Sequence, residues 1–335
     1  MTRITSHWYS FTCSARPFHN ARYQRVFFGN QSSARCLPWP NTTISRVGHI
    51  YKRMTATTTT STWRTLHPAL SVELTDSRLQ LHYAAQFATA LGISYLSPKP
   101  DDSHTNLGWD VRHETLTSRE VRASSDNVQV AVRPSDLTLL VLLDGSIGHS
   151  LPLHGSSIGQ VETALRDALA TAGLDARRLT LKRHYDLPPH PIASGELFDA
   201  RRADHFAELA SWYSNGHLAM QELANRIGGA EVRCWPHHFD IATLARFGPS
   251  RSSGAGMLPG DEMYPEPYFY VNAYPAPANE AAGVMLNGKG TWNTDGWFGA
   301  VLTGSRLTQN PSAQEEQVRA FLDSAYAACS ALVRK

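Results

Sequence analysis

Charge is scarce in this chain. Only 18% of its 335 residues are Asp, Glu, Lys or Arg, against the roughly one quarter usual in globular domains. Cysteine is scarcer still, with four residues at 13, 36, 234 and 329. None stands in a C-x-x-C pair or at a zinc spacing, so neither a dithiol redox motif nor a cysteine zinc site is encoded. They read as free thiols of a reducing compartment. No apolar run reaches the roughly eighteen residues that a membrane-spanning helix needs, so no membrane partner is expected. The fingerprints G-x-G-x-x-G, G-x-x-x-x-G-K-[ST] and H-E-x-x-H are all missing. No nucleotide cofactor is therefore expected. Basic and aromatic residues do not interleave in a stripe, so no nucleic-acid partner is expected either.

Acidic side chains are missing from one end altogether. Residues 1–72 hold eight Arg, one Lys and no Asp or Glu, and the first acid is Glu73. The remainder carries 22 basic and 29 acidic side chains. The basic end is rich in Ser, Thr and Arg and keeps no period of 3.6 or 2. We read residues 1–62 as a disordered basic leader. Three readings are open: a transit segment, which implies a mitochondrial location; a disordered arm or a misassigned start with translation from Met54, which leaves the chain cytoplasmic; and a nucleic-acid tail, disfavoured because nine charges over 72 residues are dilute and the body is acidic.

The body, residues 63–335, is patterned throughout. A helix is expected from Asp76, as cap, to Gly92, with Leu79, Tyr83, Phe87 and Ala90 on its buried face. A meander should follow: Leu107–His113, Thr117–Ala123, the alternating Asn127–Val132 and the apolar Leu137–Leu143, with an edge strand at Ser150–Leu153. Ser157 is placed to cap a helix ending at Gly173. Leu179–Leu181 reads as a return to the sheet. Asp204–Ile227 reads as the longest helix, Glu231–Phe239 and Tyr268–Tyr274 as strands, Gly283–Gly304 as turn-linked strands, and Ser312–Val333 as a closing helix. The simplest architecture is a single α+β domain with helices packed on a mostly antiparallel β-sheet.

The densest polar-aromatic stretch is Cys234-Trp235-Pro236-His237-His238-Phe239-Asp240, resumed at Asp261, Glu262 and Tyr268-Phe269-Tyr270. Adjacent histidines in a strand point to opposite faces, so His237 and His238 are not expected to serve one metal. His238 and Asp240 are two apart and share a face. A carboxylate beside an imidazole raises its basicity and fixes its tautomer, as a general-base pair requires. The same two groups are metal donors, with Glu262 or a distant histidine as a third. In the second strand Tyr268, Tyr270, Asn272 and Tyr274 alternate with Phe269, Val271 and Ala273, which puts the hydroxyls on a wet face.

Candidate catalytic residues are thus His238, Asp240 and His82. His82 stands one helical turn from Gln86, beside the apolar face. Candidate ligand contacts are Gln86, His104, Asn106, Trp235, Tyr268 and Tyr270. Metal donors would come from His104, His238, Asp240 and Glu262, and a divalent metal stays open as a cofactor. The loop Asp101–Trp109 reads either as a functional loop or as a turn whose Asp and Asn accept from backbone. Gly155-Ser156-Ser157-Ile158-Gly159 fits G-x-S-x-G, but the short, proline-bearing segment before it is no central strand. Three functions remain open: a soluble domain that binds a small polar molecule, as monomer or homo-dimer; a metal-assisted or His/Asp general-base hydrolase; and a structural or protein-interaction domain.

The residues Trp235-Pro236-His237-His238-Phe239-Asp240-Ile241-Ala242, Pro265-Glu266-Pro267-Tyr268-Phe269-Tyr270 and Ala273-Tyr274-Pro275 resemble the C-terminal pattern of an uncharacterised family, domain of unknown function 5996. Leu81-His82 with Gln86 is similar to that family's first helix. His104 lies where members carry a His-Trp pair, replaced here by His-Thr-Asn-Leu-Gly-Trp. The resemblance spans residues 63–333 and implies one unit with these positions at its centre. It implies no reaction.

The Met54 start has a direct test. Protein expressed from Met54 should melt where the full chain does, and a large drop would show that the leader packs on the body.

Overall fold

The computed structural model describes residues 62–277 and 284–334. The readings of residues 1–62 as a disordered leader (Thr62 apart), of Met54 as a start and of Cys13 and Cys36 as free thiols lie outside the described residues. Within them Cys234 and Cys329 are free and buried.

The organising element is helix α2, Thr75–Tyr95, which follows a single-turn helix α1, Pro68–Ser71. Every residue from Gln80 to Gly92 is buried. A helix wetted on one side would show one apolar stripe; a helix enclosed on all sides need not. The polar residues of α2 therefore face protein, which is why they matter below. Its ends also differ from expectation. The N-cap is Leu74, and Asp76 instead accepts from Gln80 Nε2 at 2.8 Å and pairs with His190 Nε2 at 3.1 Å. Gly92 does not stop the helix. It lies where the backbone of His104 crosses α2, so close that a Cβ would collide with the His104 carbonyl.

Twelve described strands form two antiparallel sheets instead of one. The first has the order β1-β2-β4-β5-β6: Gly108–Asp110, Thr115–Thr117, Asn127–Arg133, Thr138–Leu143 and Ser146–Pro152. The short β3, Val121–Arg122, pairs with β4. The expected strand at Thr117–Ala123 is thus split between β2 and β3. The second sheet has the order β11-β12-β10-β9-β8-β7: Thr291–Asn293, Gly299–Thr303, Tyr268–Tyr274, Ser252–Leu258, Asp240–Arg246 and Arg233–Trp235. One bridge, Leu107 with Cys234, links the two sheets' edges.

Helix α3, Ile158–Thr171, closes on the first sheet, with Val161, Leu165 and Leu169 buried. Its start is a capping box: Ser157 Oγ accepts from Gln160 N at 3.4 Å, and Gln160 Oε1 accepts from Ser157 N at 2.8 Å. That role accounts for the G-x-S-x-G spacing. The segment after α3 does not return to the sheet. Arg166 donates to the carbonyls of Ala176 and Leu179 at 2.5 and 2.6 Å, which satisfies them away from any strand. Helices α4, Ala203–Ile227, and α5, Pro311–Arg334, cover the inner face of the second sheet. Gly216 of α4 lets β8 and β9 approach, since a Cβ there would meet Ile241 and Met257 at 2.9 and 3.0 Å.

These glycines predict opposite outcomes in urea unfolding. Gly92→Ala should cost about 2 kcal/mol, because a backbone carbonyl cannot step aside. Gly159→Ala, where a Cβ meets nothing within 4 Å in the first turn of α3, should be neutral or add about 0.5 kcal/mol.

Candidate functional site

The expected strand Glu231–Phe239 stops at Trp235, and residues 236–239 turn the chain into β8. Phe239 takes φ +64°, a left-handed conformation unusual for a bulky residue. The turn is held from several sides. Phe239 N donates to Trp235 O at 2.6 Å, and Tyr213 of α4 donates its hydroxyl to Phe239 O at 2.8 Å. On α2, His82 Nε2 bonds Pro236 O at 2.8 Å, and Gln86 Nε2 donates to the same carbonyl at 3.3 Å. The His82 ring stacks on Phe239, with centroids 4.4 Å apart and planes 4° apart. Tyr185 in turn donates to Gln86 Oε1 at 2.8 Å.

His82 and Gln86 are therefore brought to the Trp235–Asp240 segment, but as clamps on its backbone. The Pro236 carbonyl requires a proton on His82 Nε2, and the lowered pKa leaves the ring neutral at pH 7 with Nδ1 as the acceptor. Burial pushes its pKa down to about 4, with Arg78, Arg183 and His238 acting in the same sense and the Pro236 bond opposing.

The turn also corrects the reading of the histidine pair. His237 and His238 do not alternate across a strand; their rings lie 4.2 Å apart. His237 packs edge-on against Trp235 and near Tyr185, and its burial, with His238, His184 and His82 nearby, holds its pKa down to about 3. His238 is exposed.

Asp240 opens β8 and is 6% exposed. Its Oδ2 accepts from the Tyr270 hydroxyl at 2.5 Å, while Oδ1 is enclosed without a partner. Burial raises the carboxyl pKa; His238 and the Tyr270 bond pull it back. Tyr270 lies on β10, with β9 between it and β8. It reaches Asp240 because Gly256 leaves the space: a Cβ there would stand 2.6–2.8 Å from the Tyr270 ring and hydroxyl. Asn272 crosses Gly254 in the same way and accepts from its N–H at 2.9 Å.

The alternation along β10 holds, with Phe269, Val271 and Ala273 buried. On the other side Tyr270, Asn272 and Tyr274 are half-buried, and Tyr268 alone departs from the expected wet face. Tyr268 is 1% exposed, lies against Tyr264 and donates to Asp261 Oδ2 at 2.7 Å.

Two other candidates are engaged elsewhere. His104 Nδ1 accepts from Lys99 N at 3.2 Å, and Asn106 Oδ1 accepts from Arg119 Nε at 3.1 Å. Asp101 Oδ1 accepts from Ser103 N at 3.1 Å, which is the backbone-turn role for this loop. Glu262 is exposed. Among the described residues no three His, Cys, Asp or Glu side chains gather to hold a metal ion, so His104, His238, Asp240 and Glu262 do not form one donor set. A cleft of about 350 Å³ lies between β3 and the C-terminal ends of α2 and α3, lined by Tyr95, Arg122, Ser124 and Arg178 among others. None of the sequence candidates lines it.

Sequence reasoning missed Tyr185 and the hydroxyl role of Tyr213. Tyr185 sits in a segment without period, and Tyr213 reads only as a position on a buried stripe.

Fold and site together define a two-sheet α+β domain with a polar-aromatic turn clamped between α2 and α4. Residues 248–334 match the model of a family of unknown function, DUF5996. The match covers about a quarter of the 335 residues, from the β8–β9 turn to the end of α5. It bears out the resemblance over that segment, which holds Gly256, Asp261, Tyr268 and Tyr270; Asp240 and α2 lie outside it. No curated protein and no solved structure matches the chain. Among the described residues no helix is long and apolar enough to cross a membrane.

The depressed His82 pKa has a signed consequence. Its folded value, about 4, lies below the free value of 6.5, so the unfolded state binds the proton first as pH falls. The stability that His82 contributes is complete above pH 6.5 and is lost as pH falls towards 4, by about 3 kcal/mol in all. Asp240, with its raised pKa, acts in the opposite sense just above pH 3.8. Urea midpoints at pH 7 and 4.5 should differ strongly for the natural chain and less for His82→Gln.

Proposed function

We propose that the turn between β7 and β8 binds a small polar molecule that donates a hydrogen bond to Asp240. One observation carries this reading: Asp240 is a buried carboxylate with one oxygen held by Tyr270 and the other without a partner. Leaving a buried acceptor unsatisfied costs about 1–3 kcal/mol, which a ligand N–H or O–H would recover. Tyr270 fixes the carboxylate. The exposed His238 and the half-buried Trp235 stand on the same turn and supply the ligand's surroundings. Because Oδ1 is enclosed, the ligand enters by displacing a packed side chain.

A second reading uses the same turn as a His/Asp general-base site for hydrolysis. It is favoured by the electrostatic coupling of His238 to Asp240 and would make His238 the proton acceptor.

Ligand-observed NMR with a library of small amines, alcohols and amides tests the binding reading. Hits should weaken at least tenfold in Asp240→Asn and Tyr270→Phe, with melting temperatures held. If the hits bind Asp240→Asn as well as the natural chain, the reading fails. A general-base role would add a His238-dependent hydrolysis of ester probes that His238→Gln abolishes.

A further inference from the structure

Arg78 stands one turn before His82 on α2 and is 7% exposed, the one described arginine that is buried. Its guanidinium has five N–H donors. Nη1 donates to Gly260 O at 2.7 Å, Nε is enclosed without an acceptor, and no bond from Nη2 to a described residue is formed. Among the described residues no carboxylate lies within 4.0 Å of it, whereas the more exposed Arg166, Arg226 and Arg319 each hold one. Nearby groups do not fill the gap. Asp261 acts on Arg78 only at longer range, and its oxygens already accept from Tyr264 N and Tyr268 OH. The Tyr213 hydroxyl is given to Phe239 O.

A buried charge without a counter-charge costs several kcal/mol, and arginine cannot shed its proton to escape that cost. The unused edge, Nε with Nη2, is the pair of parallel donors that a carboxylate fits with both oxygens. The neighbouring Gly260 carbonyl and Asp261 disfavour a more highly charged phosphate. Arg78 bonds Gly260, the next residue Asp261 accepts from Tyr268, and the Tyr268 ring lies 6.3 Å from that of Tyr270, which donates to Asp240, so both charges flank one tyrosine cluster.

We propose that Arg78 anchors a carboxylate, so that the ligand of this site is a small acid carrying an amino or hydroxyl group at its other end. The acid end pairs with Arg78 and the donor end with Asp240. This inference rests on the binding role of Asp240 for the donor end alone; the acid end stands on Arg78.

The test uses acetate for the acid end, methylammonium for the donor end, and glycolate, glycine, β-alanine and 4-aminobutyrate for both. The Arg78 Nε–H resonance of the full chain is followed by NMR during titration. Acetate should shift it saturably, and at least one two-ended probe should bind tenfold tighter than acetate. Arg78→Met should lose acetate binding without a lower melting temperature, since it removes a buried charge. Arg78→Lys keeps the charge without the paired donors and should bind acetate at least tenfold more weakly, which serves if the Met variant fails to fold. Asp240→Asn should keep acetate and lose the two-ended advantage. If acetate leaves the Nε–H signal unmoved while amine hits still depend on Asp240, the carboxylate anchor is wrong and the binding reading survives. If neither end binds, both fall.

Discussion

The structure depends on how two backbone carbonyls are held. Pro236 O and Phe239 O bracket the turn from β7 into β8, and neither is paired across the sheet. Side chains of two different helices take them, His82 and Gln86 from α2 and Tyr213 from α4. A buried carbonyl left without a donor would cost about 1–3 kcal/mol, so these bonds tie the helices to the sheet. They also stabilise the left-handed Phe239, a conformation that persists only where its surroundings over-determine it. The position of Asp240, the next residue, follows from that geometry.

The polar groups of the region then fall into two sets. His82, Gln86, Tyr185 and Tyr213 spend their hydrogen bonds on the turn or on one another. Asp240 and Arg78 keep enclosed atoms without partners. The first set explains why a helix buried on all sides carries polar residues. The second marks where the fold is left electrostatically incomplete, with a negative and a positive group on one tyrosine cluster. A domain selected for stability alone gains by replacing both with apolar residues. The proposed ligand rests on the presence of both groups with enclosed, unpartnered atoms.

Local chemistry was legible in the sequence, and long-range chemistry was not. The Ser157 capping box, the long α4 and the two-residue alternation along β10 depend on neighbours a few residues away, and each is where its pattern puts it. The histidine pair was misplaced because Glu231–Phe239 was read as one strand, and nothing in phenylalanine announces a positive φ. Gly92 reads as a helix stop; only the crossing of His104 shows it to be a contact position. His82 and Asp240 were recognisable as polar groups beside apolar ones. Their partners, Pro236 O and the Tyr270 hydroxyl, lie 154 and 30 residues away in sequence, and no periodicity encodes such distances. Arg78 carried no signal, because an arginine on a helix ordinarily reaches water.

Gly256 gives the site an unusual kind of determinant. The Tyr270 hydroxyl meets Asp240 only by lying across β9, and the path is the width of a missing methyl group. The strength of that short bond, and with it the proton affinity of the carboxylate, is therefore governed by a residue that contributes no atom to it. Alanine at 256 would lift the phenol off its acceptor while leaving every polar side chain of the site in the sequence. The reach of the site is written in an absence, at a position that an inventory of chemical groups would pass over.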